Sequence, residues 1–356
     1  MHSSRALFSR RQFVFGGAMG VLGQAKAEEM APGLLRIEFI YETAPFPQCH
    51  ASTIVETGGT LAAAWFGGTR EKHADVGIWL SRHVEGKWTE PVEIADGMAA
   101  EGKRFPCWNP VLFQPRRGGL LLFYKVGPSP DDWWGVMRTS PDHGKTWSAA
   151  RRLPEGFLGP IKNKPVELSD GTILCGSSTE AEGWKVHFEF TRDPEGKWEK
   201  TGPLNDGKSL GAIQPALCRD GMEVMAFCRT EQDNIYATRS ENGGRTWSPF
   251  EPTALPNPNS GIDATRLKDG RCLLVYNHTS KGRSPLNIAL TENGRDWEAA
   301  LVLESEPGEF SYPAVIQSAD GLVHVTYTWK RRRVRHAVID PAKLVAKPIV
   351  GGVWPK

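Results

Sequence analysis

The chain is poor in the residues that mark metal and redox proteins. Among 356 residues there are six cysteines, Cys49, Cys107, Cys175, Cys218, Cys228 and Cys272. None forms a C-x-x-C pair, and no His/Asp spacing resembles a ligand set, so no metal or cofactor is expected. Charge of one sign is also missing. There are 43 basic and 41 acidic residues, which gives no support to nucleic-acid binding. The run "KRRRVR" (330–335) reads as a solvated hairpin end. No apolar stretch is long enough to cross a bilayer as a helix. The most apolar one, "FVFGGAMGVLG", lies near the N-terminus.

That stretch follows "SRRQ" and precedes Ala25-Lys26-Ala27. A twin-arginine pair, an apolar run and a small-residue site in this order read as an export signal over 1–27, cleaved after Ala27. The expectation is a periplasmic or secreted protein whose mature chain, 28–356, is one domain without membrane insertion. Removing Arg5, Arg10, Arg11 and Lys26 leaves 39 basic and 41 acidic residues. Export permits disulfides, but the sequence alone pairs no cysteines, and buried free thiols are the default.

What the chain has in plenty is Gly (38), Pro (26) and Trp (13), a composition of many tight turns and short strands. The stretch "SPDHGKTW" (140–147) has four relatives: "SRHVEGKW" (81–88), "TRDPEGKW" (191–198), "SENGGRTW" (240–247) and "TENGRDW" (291–297). Their tryptophans, 88, 147, 198, 247 and 297, lie 59, 51, 49 and 50 residues apart. A period near fifty signals one repeated supersecondary unit. Six turn pairs share it: Gly58-Gly59, Gly118-Gly119, Asp170-Gly171, Asp220-Gly221, Asp269-Gly270 and Asp320-Gly321. Each splits two apolar runs, as a β-hairpin turn does. Six such units predict an all-β, six-bladed β-propeller of four-stranded antiparallel blades. The last unit lacks its Trp turn, and "LLRIEFIYE" (34–42) is free to complete it and close the ring.

A propeller binds small ligands where its innermost strands converge. Counting back from each hairpin places His50, Asn109, Lys164, Gln214, Asp263 and Tyr312 at equivalent strand starts. Beyond the following strands lie Arg70, Lys125, Glu180, Arg229 and His278. The preponderance of cations suggests a pocket for an anionic group, because a guanidinium grips a carboxylate in bidentate fashion. Trp108, Lys162, Asn163 and Asn259 are further candidates, and Trp133 and Trp134 lie on a loop suited to stacking on a sugar face.

"SPDHGKTW" resembles the Asp-box of the sialidase (neuraminidase) superfamily, and the resemblance extends over about residues 33–345. In that family three arginines bind the substrate carboxylate, an Asp is the acid/base, and a Tyr activated by a Glu is the nucleophile. The resemblance of "AFCRTEQ", "KGRSPLNIAL", "GTREKHADVGIWLS" and "EFSYPAVIQSADGLVHVTY" to family segments implies Arg229 and Arg283 in the carboxylate site. It likewise puts Arg70 in the pocket, Asp75 as acid/base and Tyr312 as nucleophile. The chain departs from the pattern twice. "QCHAS" carries His50 where the first family arginine is expected, and "GAIQPALCRDG" carries Gln214 and no acid where the Tyr-activating Glu is expected.

These readings converge on an exo-acting, sialidase-like glycoside hydrolase, with an acidic oligosaccharide or glycan as substrate rather than sialic acid in particular. A phenol nucleophile suits a carboxylated sugar because it meets no charge repulsion; sialidases depart from the two-carboxylate rule in this way. A uronate-specific polysaccharide lyase using His50 or His278 with Tyr312 is the alternative. A non-catalytic glycan-binding propeller is the third reading.

Overall fold

The computed structural model describes residues 30–99 and 102–356; the export signal expected over 1–27 lies outside them. Residues Ala31–Lys356 form a six-bladed propeller. Blade I contains Gln48–Thr57, Thr60–Gly68 and Gly77–Val84, with the short Lys87–Trp88 and Val92–Ala95 outside them. The innermost strands of blades II to VI are Cys107–Phe113, Val166–Glu167, Ala212–Asp220, Asp263–Arg266 and Phe310–Gln317. The second strands of blades IV to VI are Glu223–Thr230, Cys272–Tyr276 and Val323–Trp329. All pairings within the blades are antiparallel. Among the described residues the only helical element is a 3₁₀ turn at Pro341–Lys343, and no helix is long and apolar enough to cross a membrane.

Closure follows the sequence expectation. Leu34–Phe39 pairs with Arg333–Ile339, the third strand of blade VI, with Ile37 opposite Ala337. The repeated turns are polar cages. Ser140 Oγ accepts from Gly144 N (2.7 Å), and Asp142 Oδ1 accepts from Thr146 N (2.8 Å). The turn at Ser240 repeats this with Asn242 accepting from Thr246 N at 2.9 Å. Each cage aims its tryptophan at the preceding blade. Trp198 meets Phe123 of blade II, Trp247 stacks on Phe188 of blade III at 3.9 Å, and Trp297 meets Phe227 of blade IV. Trp88 of blade I reaches back to His336 of blade VI, across the closure.

The thiols differ from expectation in one pair. Cys218 and Cys272 form a disulfide between blades IV and V, while Cys49, Cys107, Cys175 and Cys228 are free and buried. Their separation of 54 residues is about one repeat, which places them on adjacent blades.

The closure seam carries a buried histidine pair. His324 Nδ1 and His336 Nε2 lie 3.0 Å apart, and His336 Nδ1 faces Glu38 Oε1 of the closing strand at 3.1 Å. Burial, then its neighbour His336, lowers His324 to about 4; burial also lowers His336 despite Glu38. The unfolded chain therefore takes up protons that the fold refuses, and stability is lost as pH falls from about 6.5 toward 4. The melting temperature should fall over that window, and His324→Gln should flatten the slope when Tm is measured against pH.

Candidate functional site

Four innermost strands carry the same irregularity at one mouth of the channel. Pairing slips between His50 and Thr53, Trp108 and Val111, Ile213 and Ala216, and Ser311 and Ala314. Within these bulges Ala51, Asn109, Gln214 and Tyr312 have positive φ of 55°, 33°, 57° and 52°. Left-handed backbone at a non-glycine residue costs of order 1–3 kcal/mol, and such strain gathers at functional sites. The bulge also corrects the register read from sequence. Ala51, not His50, is the equivalent of Asn109, Gln214 and Tyr312. The Ala and Pro residues that follow in "HAS", "NPV" and "YPA" made His50 look aligned.

Tyr312 is the centre of the site. It is 9% exposed, and its hydroxyl accepts a hydrogen bond from Arg229 Nη1 at 2.5 Å. The guanidinium of Arg229 lies 5.5 Å from the Tyr312 ring centre and 5.1 Å from that of Trp184. Arg283 and the ammonium of Lys162 lie 5.6 and 5.7 Å from the Tyr312 ring. Gln214 Oε1 accepts from Arg229 Nη1 at 3.4 Å, while Arg229 Nε is buried with no protein partner. His50 lies beside Tyr312, with ring centres 4.1 Å apart. Its Nδ1 faces Thr328 Oγ1 at 2.9 Å, and its Nε2 is buried and unpartnered.

Fully buried Lys162 donates to Ile262 O (2.8 Å), to Asn163 Oδ1 (2.9 Å) and to the carbonyl of Pro313, which follows Tyr312. It thus holds the strained turn from beneath. Burial lowers its ammonium to about 7, with Asp263 opposing.

Arg331 was not foreseen as part of the site. It lies in the run expected to be solvated, yet its guanidinium is paired with Glu309 (2.7 Å) and with Glu71. Arg283 shares Glu309 at 2.8 Å. No repeat position marked it: the blade VI equivalent of Arg229 is Thr328, and Arg331 lies three residues beyond, in the hairpin.

Other candidates are placed differently. Lys164 and Asp263 pair with each other at 3.0 Å, and Asp263 also accepts from Val315 N. Their charges join blades III, V and VI. His278 uses both ring nitrogens, on Tyr276 Oη and Gly352 O, so the C-terminal segment occupies it instead of the pocket. Lys125 is fully buried with its ammonium on Pro160 O, an internal tie. Arg70 is exposed and makes no ion pair among the described residues. Asn109 is buried at its bulge. Trp133 packs edge-on against Trp108, and Arg152 lies over the ring of Trp134, so both tryptophans are engaged within the protein.

Two carboxyls contrast at the rim. Asp75 is half-buried on the loop after Thr60–Gly68, the loop from which Glu71 reaches Arg331. Partial burial works to raise it, but Thr69, donating through N (3.0 Å) and Oγ1 (2.6 Å), together with His73, holds it below the usual range. Glu180 is the reverse: burial raises it, against the pull of Arg229.

The ring of Tyr312 rests on Gly261. A β-carbon there would meet three ring atoms at 3.0, 3.1 and 3.2 Å. Since Arg229 anchors the ring from the other end, Gly261→Ala should destabilise by about 1–3 kcal/mol as an overpacked site, measured by urea unfolding.

Sequence and structure comparisons agree with this architecture. A BNR repeat-like domain model matches residues 59–325. A sialidase of Micromonospora viridifaciens is 26% identical over 176 residues, 46% of this chain and 27% of that protein; the match thus spans about a quarter of its length. A protein of unknown function from Dyadobacter fermentans superposes with a TM-score of 0.72 at 17% identity, over 86% of this chain and 98% of its own. The NanB sialidase of Streptococcus pneumoniae gives 0.71 at 10% identity, over 87% and 71%. The intramolecular trans-sialidase of Ruminococcus gnavus gives 0.70 at 13%, over 88% and 98%. At these identities the structures speak for the fold alone. With three quarters of its length matched and six blades closed in a ring, the chain belongs to the BNR repeat-like domain family and is a sialidase-like propeller.

Proposed function

We propose that the protein is an exo-acting, sialidase-like glycoside hydrolase that removes a carboxylate-bearing sugar from a glycan. Tyr312 is the nucleophile and Asp75 the acid/base. The observation that carries this reading is the Tyr312 hydroxyl held at 2.5 Å by Arg229, inside a cluster with Arg283, Lys162 and Arg331. Arg229 retains a buried, unpartnered Nε and supplies the guanidinium edge for the substrate carboxylate, one oxygen of which takes that N–H. The names of the relatives support a glycosidase. The signal-like N-terminus and the Cys218–Cys272 bond support action outside the cytoplasm.

In the reaction the phenol oxygen attacks the anomeric carbon while Asp75 protonates the departing oxygen. Asp75 then takes a proton from water, which releases the sugar from Tyr312. Because Asp75 sits below the usual carboxylate range, its protonated form is populated only in acid, and activity should rise as pH falls below neutrality. Reducing ends released from a panel of acidic oligosaccharides measure this.

Tyr312→Phe should abolish release with the melting temperature retained. Asp75→Ala should lower turnover of natural glycans by about 100-fold or more. It should spare aryl glycosides, whose leaving groups need no proton. Full activity in both variants would overturn the assignment.

A lyase reading has one observation in its favour, the unpartnered Nε2 of His50 beside Tyr312. It predicts an ultraviolet-absorbing unsaturated uronate at the new non-reducing end, beside the reducing end that either reaction releases, so the absorbance that accompanies reducing-end release separates the two.

A further inference from the structure

We propose that His50 is the base that receives the phenolic proton of Tyr312, and that the substrate's own carboxylate switches it on. The inference rests on the hydrolase reading above and supplies what that reading lacks, an acceptor for the proton.

Arg229 can only donate to Tyr312 Oη, so the phenol's own proton must go elsewhere. Gln214 is neutral and already faces Arg229. Among the nearby carboxylates, Glu309 is held by Arg283 and Arg331 and Asp263 by Lys164, while Glu180 feels Arg229 but makes no hydrogen bond to the hydroxyl. The Nε2 of His50, buried and unpartnered, belongs to the ring packed against the phenol, with ring centres 4.1 Å apart; no hydrogen bond joins it to the hydroxyl, so the proton crosses by way of one water. With Nδ1–H donating to Thr328 Oγ1 at 2.9 Å, the lone pair falls on Nε2 and the ring is fixed in orientation.

The groups facing His50 explain the switch. Arg331 comes from the blade VI hairpin, Arg283 from the loop before Leu286–Thr291, Lys162 from the segment before Val166–Glu167, and Arg229 from the end of Glu223–Thr230. Tyr312 and the edge of Phe66 complete the surroundings. Burial first, then these four cations, keep the imidazole neutral far into acid. It therefore stays an unprotonated base at the acidic pH where Asp75 carries its proton. Alone it is a weak base. A carboxylate settling on the guanidinium cluster offsets the cations and raises the proton affinity of Nε2.

The steps balance. The Tyr312 proton passes to His50 Nε2 as the phenolate oxygen bonds to the anomeric carbon. The glycosidic bond breaks, and its oxygen takes the proton of Asp75. Water then gives a proton to Asp75, its oxygen attacks the same carbon, and the bond to Tyr312 breaks. The phenolate recovers its proton from His50, for the net addition of one water.

The test uses the full protein labelled with ¹³C and ¹⁵N in its nine histidines. The His50 resonance is identified by its loss in His50→Gln or, if that variant does not fold, by its displacement in Thr328→Val. Its titration is followed by NMR alone and with saturating D-glucuronate, N-acetylneuraminate or, as the uncharged control, glucose. The expected result is a midpoint raised by about one pH unit or more by a bound acidic sugar and unmoved by glucose. A bound acidic sugar that leaves the midpoint in place overturns the inference while sparing the hydrolase reading. If neither acid binds, the anionic-sugar reading falls, and this one with it. In turnover, His50→Ala should lose about 100-fold or more in kcat with KM nearly unchanged. Added imidazole should restore part of it, which a purely structural role would not allow.

Discussion

Everything at the mouth depends on the ring being closed. Leu34–Phe39, from the start of the described chain, forms the outer strand of the last blade, and Trp88 packs across the seam onto His336. Closure carries His50 to within 2.9 Å of Thr328, 278 positions away, and so sets blade I beside blade VI. The tryptophan turns repeat the same contact from blade to blade, each reaching back onto its predecessor. The scaffold is thus a circle of nearly equal interfaces, and its centre can tolerate strain. Four left-handed bulges and two fully buried lysines, Lys125 and Lys162, lie in it.

The electrostatics of the mouth follow from which charges are already matched. Arg283, Arg331, Glu309 and Glu71 form one balanced network, and Lys164 with Asp263 another. Arg229 is left over, with only the phenol and an amide oxygen as polar partners. Lys162 is bound by carbonyl oxygens alone. Unmatched positive charge in a buried site is costly unless a counter-ion arrives, and a carboxylate of a sugar is of the right sign and shape for a guanidinium.

The architecture was legible in the sequence because hairpin turns and tryptophan cages are local devices that recur at a fixed period. Six turn pairs and five tryptophans therefore gave the blades, and the unpaired run at 34–42 gave the closure. Tyr312, Arg229 and Arg283 were legible through family-like segments. What remained hidden was tertiary. The left-handed residue of the shared bulge is Ala51 in blade I, so His50 stands one position ahead of Gln214 and Tyr312, and alternation in a strand makes such an offset decisive. His278 was lost to Gly352 and Lys164 to Asp263, because pairing between distant segments leaves no mark in local pattern. Arg331 was missed because a basic run looks solvated until the acids that gather it, Glu71 and Glu309, are placed beside it.

The replacement of an acid by Gln214 is coherent with the rest of the mouth. A carboxylate at 214 would form an ion pair with Arg229, the one guanidinium in the cluster not already matched by an acid. The amide can accept from Arg229 while leaving its charge intact for the substrate and its N–H for the phenol oxygen. On the proposed hydrolase reading the proton-accepting role passes to a group that does not neutralise the cluster, and a neutral imidazole meets that condition. Four cations around His50 would make no sense as the setting of a strong resting base. They make sense if basicity is wanted only while a substrate anion is present, since on the proposed reading the charge that would bind the sugar is also the charge that holds the base in reserve.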